Sequence, residues 1–221
     1  MAGFHPRVED LPGEIPVFPL GGALLLPRGK LPLNIFEPRY LAMTEDALAQ
    51  GRLLGMIQPD PTVPDTDAGP SLFRVGCLGR LSSFSETDDR RYLITLTGVI
   101  RFAIAAEIGM RRGYRRVRPE YESYLADLDL ELLPMGVARD TLLAALRGYF
   151  TQRGFDANWD AIKRLPDDML VVTLAMVCPF EPAEKQALLE APSDAERAST
   201  LLTLLQMGAV AQDQQGGRSV S

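Results

Sequence analysis

A single histidine and two cysteines stand among 221 residues, and each scarcity removes a class of chemistry. The histidine, His5, falls in the opening stretch of the chain. A His-based zinc site, a Ser–His–Asp triad and a Cys–His dyad all need an imidazole held in a rigid pocket, so none of them is expected. Cys77 and Cys178 lie far apart among apolar neighbours and read as two buried thiols of a reducing compartment, not as a disulfide framework. No apolar run approaches the roughly 20 residues that span a bilayer. The opening MAGFHPRVEDLPGEIPVFPL lacks the pattern of a secretory signal, which leads us to expect a cytoplasmic chain. A Walker-type phosphate loop requires Gly, four residues, then Gly-Lys-Ser/Thr; here Gly29-Lys30 precedes Leu31, and Leu24 stands where the first Gly belongs. The Asp/Pro-rich stretch 58–71 has neither the regular acidic spacing nor the final Glu of a calcium loop. No cofactor and no metal is expected.

What is present describes a globular protein. Hydrophobic residues make up 46% and charged residues 24%, and a chain of this length buries about 70% of its unfolded surface without a disulfide or metal. Charge is divided unevenly: basic and acidic groups balance through Glu122, so the whole net charge of −6 lies beyond it. Texture changes at the same point, from short Val/Ile/Phe/Thr runs broken by Gly and Pro to Leu/Ala-rich helical stretches. We therefore expect a β subdomain over 1–122, a helical subdomain over 123–210 and a disordered tail over 211–221.

The first half reads as strands at 14–19, 31–35, 53–57, 73–84, 90–97, 99–108 and 114–122, with Gly98 as an interruption. Pro16, Pro19 and Pro32 each lack a ladder donor, which places their strands at an edge or rim. Pro38 suits the first position of a helix reaching about Gln50, with Gly51 as its stop. Gly76 and Gly79 mark bulges or close approaches. One early helix among several short strands argues for a small twisted barrel rather than a parallel α/β sheet. The second half predicts helices over 136–153, 157–165, 169–177 and from Pro182 to Pro192. Ser193-Asp194-Ala195-Glu196 matches a capping box for the last helix, which should end near Met207 with Gly208 as its cap.

Four segments in series, IPVFPL (15–20), LPLNIFEPRY (31–40), VGCLGRL (75–81) and RYLITLTGVIRF (91–102), resemble the N-terminal, substrate-binding domain of the Lon ATP-dependent proteases. EKQALLEA (184–191) with Arg197 and the Leu-rich helix is similar to that family's helical subdomain. The resemblance runs from about Glu14 to Met207 and implies an α+β fold: a PUA-like β pseudo-barrel with an inserted helix, followed by an α-helical bundle. The chain ends after the bundle and carries no phosphate loop, so it resembles the stand-alone Lon-domain proteins. The function implied is non-catalytic recognition of unfolded or extended polypeptide. Alternatives are an adaptor of a separate protease and an RNA-binding PUA-like protein.

Glu37, Arg39, Tyr40 and Met110 are the candidate polypeptide-binding residues, at a helix start and near a segment end, where charged and adaptable side chains meet solvent. Ser82, Ser83 and Ser85 form no recognisable arrangement with a base, and no catalytic residue is expected. Arg101, beside Phe102 in a strand, requires a buried partner, for which Glu37 is the candidate. Arg111, Arg112, Arg115, Arg116 and Arg118 form the one basic concentration, the feature that an RNA-binding reading needs.

Overall fold

The computed structural model describes residues 7–129 and 135–210; His5 and the expected tail 211–221 lie outside them. The chain divides into two compact units, one made of Met1–Glu131 and Pro179–Leu189, the other of Leu132–Cys178 and Glu190–Ser221. This division crosses the chain more than once, where the change of texture placed a single cut after Glu122.

In the first unit, strands β1 (Ile15–Pro19), β2 (Lys30–Ile35), β3 (Leu53–Ile57), β4 (Val75–Glu86), β5 (Tyr92–Arg111) and β6 (Tyr114–Glu120) accompany helix α1 (Pro38–Ala49). Their order is β2-β5-β4-β3-β1-β6, and β5 also pairs with β6. That extra pairing closes β5, β4, β3, β1 and β6 into a barrel and leaves β2 attached to β5 alone. Among the described strands only β1 and β3 run parallel; β2 and α1 lie in the connection between them, as a parallel pair requires.

The prolines correct one expectation and fit another. β1 is not an edge strand: it lies between β3 and β6. Each flank is short, with Ile15–Val17 paired to β6 and Val17–Pro19 paired to β3, so each proline meets the ladder near its end. Pro32 lies in β2, which pairs with β5 alone, as a missing donor demands.

Gly98 does not interrupt its strand. β5 is continuous over 20 residues. A Cβ at Gly98 would lie 2.0 Å from the Leu26 carbonyl oxygen, because the segment before β2 crosses there. Its N–H donates to the Gly29 oxygen at 2.8 Å, while its carbonyl accepts from the Arg28 N–H at 2.9 Å. The register of β4 against β5 shifts between Leu78 and Gly79, a bulge at one of the expected glycines. Inside the barrel, Phe102 is fully buried. Cβ atoms at Gly55 and Gly76 would approach its ring to 2.9 and 2.6 Å, so the two glycines create the space that this ring fills. It joins a core of Ile15, Val17, Leu78, Ile100 and Val117.

After β6 the chain forms a 3-10 segment, Glu122–Leu128, absent from the sequence reading. Tyr124 and Leu128 pack against the barrel core. Helix α5 (Pro182–Glu190) also serves this unit through Leu189. Gln186 donates from Nε2 to the Val75 oxygen at 3.0 Å and accepts from Gln58 Nε2 at 3.1 Å. Lys185 is buried and donates to the Gly22 oxygen at 2.5 Å.

The second unit contains α2 (Arg139–Arg153), α3 (Trp159–Arg164), α4 (Asp167–Val177) and α6 (Asp194–Val210). Gly154 closes α2 in the left-handed region at φ 65°, as expected of a C-terminal glycine. The α6 cap is present in part: Glu196 N–H donates to Ser193 Oγ at 3.2 Å. Gly208, expected as a cap, lies inside α6. A Cβ there would stand 2.4 Å from the Tyr149 ring, so this glycine lets α2 and α6 approach. Among the described residues no helix is long and apolar enough to cross a membrane.

Candidate functional site

The first turn of α1 and the β5–β6 hairpin make the surface on which the sequence placed its candidates. Glu37 is the N-cap, extended at ψ 135°, and Pro38 occupies the first turn. Arg39 donates from Nε to Glu37 Oε2 at 3.0 Å, and its Nη2 lies 2.9 Å from the same oxygen. Its guanidinium carbon lies 4.6 Å from the centre of the Tyr40 ring, a cation–π distance. Tyr40 itself is buried, its ring 4.1 Å from that of Phe18. Burial pushes its phenol above the usual pKa, with the charge of Arg39 working in the opposite direction. Of the four candidates, Glu37 and Arg39 form one exposed pair, Tyr40 supports them from below, and Met110 is 55% exposed on β5.

A tight turn brings the hairpin to α1. Arg112 and Gly113 both adopt positive φ, 48° and 85°, the pattern of a two-residue turn whose twist matches its strands. A Cβ on Gly113 would lie 3.4 Å from the Cβ of Arg39. Adjacent acids of α1 hold this hairpin in place. Glu45 accepts from Arg112 Nη2 at 2.7 Å and from the Tyr92 hydroxyl at 3.2 Å. Asp46 accepts from the Tyr114 hydroxyl at 2.7 Å and Arg112 Nη1 at 3.0 Å, with Arg111 Nε at 3.3 Å. The Tyr114 hydrogen bond, aided by both arginines, holds the Asp46 carboxyl below its usual range. Burial, with the same hydrogen bond, pushes the Tyr114 phenol up to about 12.

The basic run is thus largely committed to carboxylates of its own chain. Arg115 is buried and meets Glu107 Oε1 at 2.5 Å; Arg116 reaches Glu14 at 3.4 Å. Arg118 makes no ion pair among the described residues. The surface has little free positive charge to offer a polyanion.

Arg101 corrects an expectation. Its partner is not Glu37 but Asp127 of the 3-10 segment, at 2.9 Å from Nε and 2.8 Å from Nη2. Burial opposes its charge, yet the hydrogen bonds and charge of Asp127 outweigh that and raise its pKa. Among the described residues no group of three or more His, Cys, Asp or Glu side chains is placed to hold a metal ion.

These features define the class. Residues 14–207 match the family of the ATP-dependent protease La (LON) substrate-binding domain, and the chain belongs to that family. Relatives include Lon protease 2 of Sorangium cellulosum, 29% identical over 131 residues, which are 58% of this chain and 16% of that protein. Lon protease 1 of Thermus thermophilus is 26% identical over 87% of this chain and 24% of its own length. The chain therefore spans a quarter or less of these relatives, and the matches lie in their N-terminal regions. Among solved structures, the Lon N-terminal domain protein from Xanthomonas campestris shares the fold with a TM-score of 0.57 and 20% identity, over 86% of this chain and 97% of its own. The N-terminal domain of Mycobacterium avium complex Lon protease gives 0.55 and 19%, over 87% and 97%.

Proposed function

We propose that this chain is a non-catalytic module that recognises unfolded or extended polypeptide. The observation that carries the reading is the match of residues 14–207 to a substrate-binding domain family. The surface chemistry supports it. Met110 and Phe36 are 55% and 61% exposed, adaptable and aromatic contacts of the kind that tolerate many sequences. They accompany the Glu37–Arg39 pair, which can hydrogen-bond a passing main chain. The docking surface comprises Glu37, Arg39 and Met110, with Tyr40 fixing the helix beneath. Buried thiols at Cys77 and Cys178 suit a cytoplasmic chain.

The test is a titration of labelled, chemically unfolded polypeptide against the purified protein. Binding at about tens of micromolar, weak in free-energy terms, is expected, and a Met110→Ser, Arg39→Ala double variant should bind less. Absence of binding at that concentration, or degradation of casein by the pure chain that a point substitution abolishes, overturns the reading.

A further inference from the structure

The barrel unit carries a concavity lined by none of Glu37, Arg39, Tyr40 and Met110. It is a groove of about 600 Å³ between the segment before β1 and the 3-10 segment after β6. Val8, Leu11 and Pro12 line it from one side, and Tyr124 and Leu125 from the other. Val8 is 54% and Leu125 39% exposed, so apolar surface stays in water on both sides.

The groove is held open by bonds that leave its apolar lining free. The Tyr121 hydroxyl donates to the Pro12 oxygen at 3.1 Å and so ties the two sides together. Asp127 fixes the 3-10 segment to β5 through the Arg101 side chain and also accepts the Arg101 backbone N–H at 2.9 Å. A site fixed in advance loses little further freedom when a ligand enters.

Its charge has one sign. Glu120 and Glu122 line the groove, are exposed, and form no ion pair among the described residues. This contrasts with the α1 side of the same unit, where Glu45, Asp46 and Glu37 are all engaged by arginines. Two unpaired carboxylates beside an apolar floor favour a ligand that presents apolar side chains next to cations.

We infer that this groove docks an extended polypeptide segment in which apolar residues adjoin Lys or Arg. The inference rests on the polypeptide-recognition reading and adds a place and a chemical preference to it. Acidic segments are disfavoured there by Glu120 and Glu122. Attraction of this exposed kind weakens as salt shortens the screening length from about 10 Å at 0.1 M to about 3 Å at 1 M.

The probe is a short fluorescein-labelled peptide of Leu, Val and Lys, beside a companion with Glu in place of every Lys. The intact chain should bind the basic peptide about tenfold more tightly than the acidic one at low salt, a ratio that shrinks as salt rises. Glu120→Gln with Glu122→Gln touches only exposed, unpaired side chains and should erase most of that preference while leaving the melting temperature unchanged. Leu125→Lys should weaken the basic peptide further. Equal affinity for both peptides overturns the inference. So does a preference that survives the double variant while Met110→Ser or Arg39→Ala reduces binding; in that case polypeptide recognition stands and lies at the α1 surface. If neither peptide nor unfolded polypeptide binds, both readings fall. Concentration-dependent self-association that the double variant abolishes assigns the groove to a second copy and likewise overturns it.

Discussion

Arg101 and Asp127 are locked together by three hydrogen bonds, two from the guanidinium and one from the Arg101 backbone N–H, with the Arg101 side chain only 5% exposed. The guanidinium also donates to the Leu189 oxygen at 3.1 Å and lies 4.9 Å from the Tyr124 ring centre. One side chain thus joins β5, the 3-10 segment and α5. Removing either partner of such a pair leaves an uncompensated charge in a dry setting. Arg101→Ala or Asp127→Ala should each destabilise the protein by about 3–5 kcal/mol, measured by urea unfolding. The double variant should cost clearly less than the two losses added together. Additive losses would show that the two side chains act separately.

Gly98 should tolerate no side chain. An alanine Cβ would press into the Leu26 carbonyl, a backbone atom that can retreat only if the crossing segment moves. Gly98→Ala is expected to lower stability by more than about 4 kcal/mol, the range of strongly disruptive changes, or to prevent soluble expression. Gly109→Ala is the control, since a Cβ there meets nothing within 4 Å. A Gly98→Ala protein that melts with the parent would refute the crossing as described.

The second unit offers a paired test on glycines inside helices. Gly148→Ala adds a Cβ at an ordinary 3.7 Å from Ala209 and should stabilise by up to about 1 kcal/mol through helix propensity. Gly208→Ala should destabilise instead, because Tyr149 already occupies the space. Thermal melts of the two variants should shift in opposite directions.

Asp46 and Tyr114 give the stability a pH dependence at both extremes. The Asp46 carboxyl is held below its ordinary value, so its contribution is complete above the unfolded value near 3.9 and is lost as pH falls through the folded one. Tyr114 is raised to about 12 against about 10 in the unfolded chain. Between those values the unfolded chain releases its proton while the folded chain keeps it, so stability falls as pH rises through that window. Tyr114→Phe should flatten the alkaline loss of melting temperature and also weaken the acid-side dependence. An unchanged alkaline slope would remove Tyr114 from the account.

Generic single-stranded RNA should not bind with a steep salt slope, because four of the five arginines of the basic run are paired with Glu14, Glu45, Asp46 and Glu107, leaving Arg118 alone among the described residues. Counterion release needs free cations that can neutralise phosphates. Filter binding at low salt checks this, and a steep slope would return the RNA reading to consideration.

Local rules made some of this legible. Gly51 before it and the Pro-rich stretch from Pro59 after it framed β3 at Leu53–Ile57, and Pro38 marked the start of α1 because a missing N–H is harmless there. That Arg39 would meet a carboxylate was legible at an exposed helix start, but that the carboxylate is Glu37 was not, since Glu37 was assigned to Arg101. Contacts distant in sequence were not legible. Nothing near Gly98 announces the Leu26 carbonyl, and nothing near Arg101 points to a carboxylate 26 residues on. Gly208 looks like a helix stop until Tyr149 is seen against it. At the site, the burial of Tyr40 depends on Phe18, and Arg111 and Arg112 of the basic run are engaged by two acids in α1. The groove at Val8 and Leu125 was missed because the 3-10 segment has no periodic signature.

Helix α5 is needed by the barrel unit yet is encoded after α2, α3 and α4. During synthesis, therefore, the strands leave the ribosome well before the last pieces that complete their packing, Lys185 against Gly22, Gln186 against Val75 and Leu189 against Arg101. A nascent chain halted just past Glu120 would carry its strands while Arg101 still lacked both Asp127 and the Leu189 carbonyl.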